Sequence, residues 1–424
     1  MALHSRHRST ALVALAVVAG TLIAPPAAFA APVPTAAAAP MTELNDREVA
    51  APAQKAPAVT TEPAIPIKSP SAILMEATSG RVLFQKNPHD RRTPASVTKI
   101  MTLIVAFDAL RQGKVKMTDK VTVSEEAAEQ VGTIIFADTG ETFTLQELLL
   151  SIAVGSANDS AVAVAEHIAG SAEAFVQAMN AKAKELGMHD TQFRNTTGLP
   201  AEGHFTSAYD IAVMSRYAAV NYPELLKLTS VYGADLSVPW RKNGPVFRLW
   251  NNNKLLTWYP GADGLKTGWT EAAGYCLAAT AKQSGVRMIA VVMGSDTPKL
   301  RNAEVAKLLD YGFANYTAVE LAPKGKALGT VSVSRGKASL VVAVPQSTFA
   351  VGVAKGEQSK VKSELKLQKR VEAPVKAGQV VGEMIATMDG REIGRMPLVA
   401  ATDVPKANVW QMMGIQLKAI FTLD

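Results

Sequence analysis

Cysteine is almost missing: Cys276 stands alone in 424 residues, so no internal disulfide can brace the chain and its core must hold it together. Set in Tyr275-Cys276-Leu277-Ala278-Ala279, that cysteine reads as part of a buried strand rather than a reactive thiol. The six histidines show no His-Glu-x-x-His spacing, and there is no second cysteine to complete a zinc site, so neither a metal nor a cofactor is expected. Aromatic residues make up only 6% of the chain, and none interleave with its basic residues as a nucleic-acid platform requires. The apolar stretch Ala11–Ala24 is shorter than the roughly 20 residues of a membrane span.

That stretch follows Arg6 and Arg8 and is followed by Ala28-Phe29-Ala30, the small-x-small form at which an export signal is cut. Residues 1–30 therefore read as a removed signal, placing the mature chain in a periplasm or on the outer face of the cytoplasmic membrane. Residues 31–66 are rich in Ala, Pro, Thr and Val without a lasting period and read as a linker. From there to residue 317 the pattern is hairpin, helices, strands, helix, an α+β domain. Ser71–Glu76 and Val82–Gln85 flank a Ser79-Gly80 turn. A helix is expected over Thr93–Leu110, with Thr93 as N-cap and Pro94 in the first helical position. Further helices fall over Thr144–Val154, Asp159–Ala169, Ala172–Leu186 and Ser207–Ala218, the last opened by Ser207-x-x-Asp210 as a capping box. Strands over Gly264–Gly268, Gly274–Ala281 and Val286–Gly294 precede a helix over Arg301–Tyr311.

Residues 318–404 break into short strands, Val331–Val333, Leu340–Val344, Phe349–Val353 and Val380–Thr387, a small all-β domain. Part of the net charge of +7 gathers here, in Lys324, Lys326, Lys355, Lys360, Lys362, Lys366, Lys369 and Arg370. Such a run is either a solvated face or an attraction to anionic lipid or wall polymer. Over 405–424, Trp410, Met413, Leu417, Ile420 and Phe421 form one stripe of an amphipathic helix, which either lies on a membrane surface or docks on the β domain.

Ser96 and Lys99 stand three apart on a predicted helix and project from one face. A serine hydroxyl needs a neighbour to take its proton, and a lysine does this only when burial lowers its pKa; Ile100, Met101 and Leu103 provide apolar company. Alone, such a pair is an ordinary helix face in most chains. Ser156-Ala157-Asn158 lies at a break between helices, where it either caps a helix or aims a hydroxyl and an amide into a cleft. Lys266-Thr267-Gly268 lies on a strand, where its lysine is either solvated or part of a site.

Ser-x-x-Lys, Ser-x-Asn and Lys-Thr-Gly in this order resemble the penicillin-binding proteins and serine β-lactamases, and within them the low-molecular-mass D-alanyl-D-alanine carboxypeptidases. The resemblance extends through Pro94–Met101, Ser156–Asp159, Phe193–Pro200 and Asp263–Gly268, and the late β domain and terminal helix also look like that family's. It implies a transpeptidase-like fold followed by a β domain and an amphipathic helix. It further implies that Ser96 attacks the bond between two D-alanines of a peptidoglycan stem, with Lys99 as base and Ser156 as proton relay. Asn158, Lys266, Thr267 and Gly268 would bind the peptide, Ser96 and Trp269 would offer backbone N–H groups to an oxyanion, and β-lactams would acylate the same serine. Arg301 matches an arginine that contributes to the carboxylate site, the alternative being a helix-surface arginine. Strand alternation points Thr267 away from the Lys266 face, and Trp269 departs from the histidine often found there. Three rivals are a class A β-lactamase, disfavoured by the lack of Glu-x-x-Leu-Asn between Asn158 and Lys266, a non-catalytic wall binder, and an endopeptidase.

Overall fold

The computed structural model describes residues 65–238, 244 and 246–408. The expected signal, most of the linker and the apolar stripe after Trp410 lie outside the described residues.

The first strands, β1 (Ser71–Glu76) and β2 (Val82–Lys86), form the expected hairpin. A 3-10 turn, Ala95–Thr98, leads into α1 (Lys99–Arg111). Then come β3 (Lys120–Thr122), α2 (Glu125–Ala128), β4 (Thr142–Thr144) and α3 (Leu145–Leu150), with a π-helical turn over Ser151–Gly155. Helices α4 (Asn158–Ala169), α5 (Ala172–Glu185), α6 (Ala208–Asn221) and α7 (Pro223–Thr229) precede a hairpin of β5 (Gly233–Ser237) and β6 (Val246–Trp250). The domain closes with β7 (Ala262–Thr270), β8 (Gly274–Gln283), β9 (Val286–Ser295) and α8 (Pro298–Asn315).

Early and late strands share one antiparallel sheet of order β2-β1-β9-β8-β7. Alternation sorts its side chains into two cores. On one face Ile73, Met75, Cys276, Ala278 and Val291 share a core with Ile100 and Ile104 of α1 and Phe175 of α5. On the other, Leu74, Leu277, Ala290 and Val292 meet Val305, Leu308 and Leu309 of α8. The result is three layers, with β2 and β7 as the edge strands of the sheet. Helix α1 runs through the middle of the helical layer and buries ten of its thirteen residues, so Lys99 in its first turn has no solvent-facing side.

The single helix expected over Thr93–Leu110 is corrected. Ala95 takes φ +46 and Pro94 precedes the turn without an N–H to give, so the first turn tightens to 3-10 and α-helix begins only at Lys99. The Ser207 capping box is half made: Ser207 Oγ accepts from Asp210 N at 3.2 Å, but the Asp210 carboxylate accepts instead from Asp190 N and Thr191 Oγ1.

Helix α8 runs into β10 (Tyr316–Ala322) with no residue between them. The β domain continues with β11 (Gly329–Ser334), β12 (Leu340–Pro345), β13 (Phe349–Ala354), β14 (Val361–Leu367), β15 (Arg370–Glu372), β16 (Val380–Met388) and β17 (Arg391–Ala400). Strand β10 pairs with β13, and the others form a sheet of order β14-β16-β17-β12-β11-β15 around Val331, Val341, Phe349, Val351 and Leu398. At the start of the expected terminal helix, Lys406 instead forms an isolated bridge with Gly336. The domain grips the five-stranded sheet at its turns. Gly352 lies against the buried Glu76 carboxylate, Ala318 against Gly285, and the Arg81 guanidinium stands 5.9 Å over the Tyr316 ring.

Candidate active site

A 3-10 helix has three residues per turn, so side chains at i and i+3 eclipse. The tightened turn therefore sets Ser96 directly beside Lys99, with Nζ 3.2 Å from Oγ. Lys99 is fully buried, and Nζ also donates to Asn158 Oδ1 at 2.7 Å and to the Thr197 carbonyl at 2.6 Å. All three partners are neutral. Burial, with Lys266 adding like-charge repulsion, holds the lysine well below its usual pKa. Asp159 opposes this weakly, because its own carboxyl is pushed up by burial. A neutral amine has two N–H groups and one lone pair. With Nζ at hydrogen-bond distance from Ser96 Oγ, Asn158 Oδ1 and the Thr197 carbonyl, the neutral form of the amine would give its two N–H groups to Asn158 and Thr197 and turn its lone pair to the Ser96 hydroxyl.

The second motif comes from a helix that breaks. The π turn over Ser151–Gly155 ends on Ser156 in the left-handed region, φ 64 and ψ 28, which lifts Ser156 out of the helical path before α4 starts at Asn158. Gly155 permits this: a Cβ there would stand 2.8 Å from Leu249 of β6. Asn158 and Asp159 also pin the 131–137 loop. Asn158 Nδ2 donates to the Val131 carbonyl at 2.6 Å, while Asp159 Oδ2 accepts from Ile135 N at 2.8 Å and Ala137 N at 3.2 Å.

The third motif lies on the sheet edge. Lys266 and Thr267 are buried, and Lys266 Nζ donates to the Thr267 carbonyl at 2.9 Å. Gly268 is required by a close approach: a Cβ would stand 2.9 Å from the Pro94 carbonyl and 3.0 Å from Val97 N. The open edge of β7 is thus laid against the turn that carries Ser96. Arg301 is not a helix-surface residue; it is 4% exposed, with its guanidinium on Asn302 Oδ1 at 2.9 and 3.0 Å. Lys266 is lowered to about 7 by burial and by the Arg301 charge, and burial brings Arg301 itself down to about 10. Two cations whose charges interact, with no ion pair to an acidic side chain among the described residues, describe a seat for a carboxylate. Thr267 alternates to the opposite face from Lys266, and Trp269 is 57% exposed beyond it.

Sequence reasoning gave no role to the loop that completes the Lys99 cage. Asn195 Oδ1 accepts from Gly198 N at 2.7 Å and Thr197 N at 3.2 Å, folding the turn that presents the Thr197 carbonyl. Gly198, at φ +86, sits on the nucleophile's own backbone: a Cβ would collide with the Ala95 carbonyl and come within 2.9 Å of Ser96 N. His204 was likewise missed. Buried beneath the turn, it meets Thr98 Oγ1 through Nε2 at 3.0 Å, and burial lowers it to about 4. Only the turn-forming Asn195-Thr196-Thr197-Gly198 composition hinted at any of this.

A serine beside a buried lysine of lowered pKa that also holds the Asn158 amide, next to a cationic sheet edge, defines a serine peptidase of the penicillin-binding type. Residues 57–297 match the D-alanyl-D-alanine carboxypeptidase family, peptidase S11, and residues 316–406 match the penicillin-binding protein 5 C-terminal domain. The chain belongs to that carboxypeptidase family. It is 43% identical over 338 residues to the D-alanyl-D-alanine carboxypeptidase DacF of Bacillus subtilis, covering 80% of this chain and 86% of that one. Penicillin-binding protein 5 of Haemophilus influenzae superposes with a TM-score of 0.61 at 34% identity, covering 82% of this chain and all of the other. Penicillin-binding protein D2 of Listeria monocytogenes, in a cefotaxime-bound form, gives 0.53 at 27% identity, covering 59% of this chain and all of the other.

Proposed function

We propose that this protein removes the terminal D-alanine from peptidoglycan stem peptides, with Ser96 as nucleophile. The observation that carries the reading is the Lys99 cage, whose two neutral carbonyl acceptors leave the amine lone pair for Ser96. Lys99 takes the hydroxyl proton as Ser96 Oγ attacks the carbonyl between the two D-alanines. Backbone N–H groups of Ser96 and Trp269 receive the developing oxyanion, a role supported by the open β7 edge lying against the Ser96 turn. The carbon–nitrogen bond breaks, and the departing amine is protonated through Ser156. Water then adds to the acyl-enzyme and restores Ser96. Lys266, Thr267 and Arg301 hold the carboxylate of the departing residue, and Asn158 orients the peptide while fixing Lys99.

A β-lactam presents a strained amide and a carboxylate to the same groups, so it acylates Ser96. The chain is exported and held at the membrane surface by the segment after Pro405, a reading supported by the signal-like N-terminus and the apolar repeat from Trp410 to Phe421. Incubation with a pentapeptide and with penicillin tests the enzymatic reading. Wild type should release D-alanine and carry an adduct on Ser96, and Ser96→Ala should do neither. Absence of D-alanine release by wild type would favour a wall-binding role. Deleting the residues after Pro405 should free the protein from membranes without loss of peptide hydrolysis, and unchanged fractionation would rule that anchor out.

A further inference from the structure

A side-chain amide can be turned either way round, and a neutral amine tolerates both, because it donates through N–H and accepts through its lone pair. Lys99 in that form does not decide which end of the Asn158 side chain faces it. A backbone carbonyl only accepts. The Val131 carbonyl, 2.6 Å from Asn158 Nδ2, therefore turns the amide so that its oxygen lies toward Lys99 Nζ, at 2.7 Å. Reversed, the amide would set an N–H against Nζ and occupy the lone pair that the Ser96 hydroxyl needs.

That carbonyl belongs to a loop without helix or strand over 131–137, and the residue after Asn158 clamps the loop's far end. Asp159 Oδ2 accepts from Ile135 N at 2.8 Å and Ala137 N at 3.2 Å, while Oδ1 accepts from Ser160 N at 2.7 Å. The carboxylate is buried and bonds to no cation among the described residues. Its two loop bonds straddle Phe136, held at φ +57, a region that a phenylalanine rarely enters unless its surroundings impose it. The near end of the loop lies directly on Asn158. Asn158 N donates to the Thr133 carbonyl at 2.7 Å, and a Cβ on Gly132 would stand 3.1 Å from Asn158 Nδ2.

We propose that Asp159 is a positioning residue: by clamping the 131–137 loop it keeps the Val131 carbonyl on Asn158, and so keeps the amide oxygen toward Lys99 and the amine lone pair toward Ser96. The inference rests on the carboxypeptidase reading above, in which Ser96 is the nucleophile and Lys99 its base. Lys99 faces two charged groups, Lys266 from β7 and Asp159 itself from α4. The amide oxygen is an acceptor that favours the charged ammonium, and the Asp159 charge acts in the same direction. Loosening the clamp therefore has two effects at once. The base is misdirected, and it gives up its proton more readily.

The test is the pH profile of kcat/KM for D-alanine release from a pentapeptide. Asp159→Ala should lower the plateau about a hundredfold, and Asp159→Asn, which keeps one acceptor oxygen for the loop, about tenfold. In both, the acid limb, where Lys99 gains its proton, should move to lower pH. Gly132→Ala leaves the Asp159 charge in place but presses the loop off Asn158, so it should lower the plateau about tenfold and move the limb the same way. Gly132 is exposed, so this variant leaves both cores intact even where the Asp159 variants do not fold. A plateau that falls in Gly132→Ala while the limb stays would make the loop merely structural and overturn the proposal, as would an unchanged plateau. If wild type releases no D-alanine, the carboxypeptidase reading falls, and the pH profile of Ser96 acylation by penicillin then decides on Asp159 by the same two criteria.

Discussion

Lys99 and Lys266 are 0% and 4% exposed and face neutral partners or other cations, whereas Lys362 and Lys366 of β14 stand in solvent on an edge strand. The catalytic domain pays for desolvating its lysines, and the β domain leaves its own hydrated. A buried ammonium is strongly disfavoured unless paired, so the first pair shifts toward the neutral amine that chemistry needs. An exposed ammonium keeps its charge and can act only at a distance, on anionic polymer or lipid.

The comparison breaks most sharply at Lys99. Lys99→Met should cut acylation by penicillin about a thousandfold while leaving the melting temperature equal or higher, since an apolar chain replaces a desolvated amine. A parallel loss of stability and activity would show that the lysine is structural.

His204 extends the pattern to a third buried base. Burial lowers its folded-state pKa to about 4, below the ordinary histidine value of about 6.5, so the unfolded chain binds the proton more readily. Stability from keeping it neutral is complete above pH 6.5 and falls as the pH drops toward 4, a loss of about 3 kcal/mol. His204→Gln should flatten that part of the stability curve in denaturant titrations, and an identical slope would exclude His204 as its source.

Arg301 tunes Lys266 rather than replacing it. Arg301→Gln should raise KM for the peptide about tenfold through a lost charged contact. It should also move the alkaline limb of kcat/KM upward from near 7, because removing a neighbouring positive charge raises the Lys266 pKa. A limb that stays in place would mean Lys266 does not titrate in the free enzyme. The smallest effect belongs to the exposed lysines: Lys362→Glu with Lys366→Glu should change stability by less than about 0.5 kcal/mol and leave peptide hydrolysis unaltered. Binding to anionic vesicles or wall polymer is where that double variant should differ.

Much of the site was legible because its chemistry is written in residue types. Ser96, Lys99, Ser156, Asn158 and Lys266 stand at motif spacings, and the structure brings Lys99 to both Ser96 and Asn158. The Thr197 acceptor was illegible because it is a carbonyl, which every residue carries, and it becomes specific only when Asn195 and Gly198 fold the turn. Arg301 could not be placed from sequence, since its burial depends on how α8 meets the sheet edge. In the β domain, β14 was missed because five of its seven residues are exposed and no alternation survives; β17 was missed because Gly394 and Pro397 interrupt its pattern. The 3-10 start of the Ser96 turn was hidden because Pro94 reads equally well as a first helical residue.

The grip between domains has a mechanical meaning. Any pull on the chain at Pro405 reaches the catalytic domain through the turns at Thr78–Gly80 and Gly285, and through α8 where it becomes β10. These points lie at strand ends, so the load runs along β1, β8 and β9, and their crosswise hydrogen bonds share it as shear. Strand β7, whose open edge faces Ser96, is not peeled away. Were the segment after Pro405 to anchor the protein, as proposed above, tension on it would leave the reaction geometry in place.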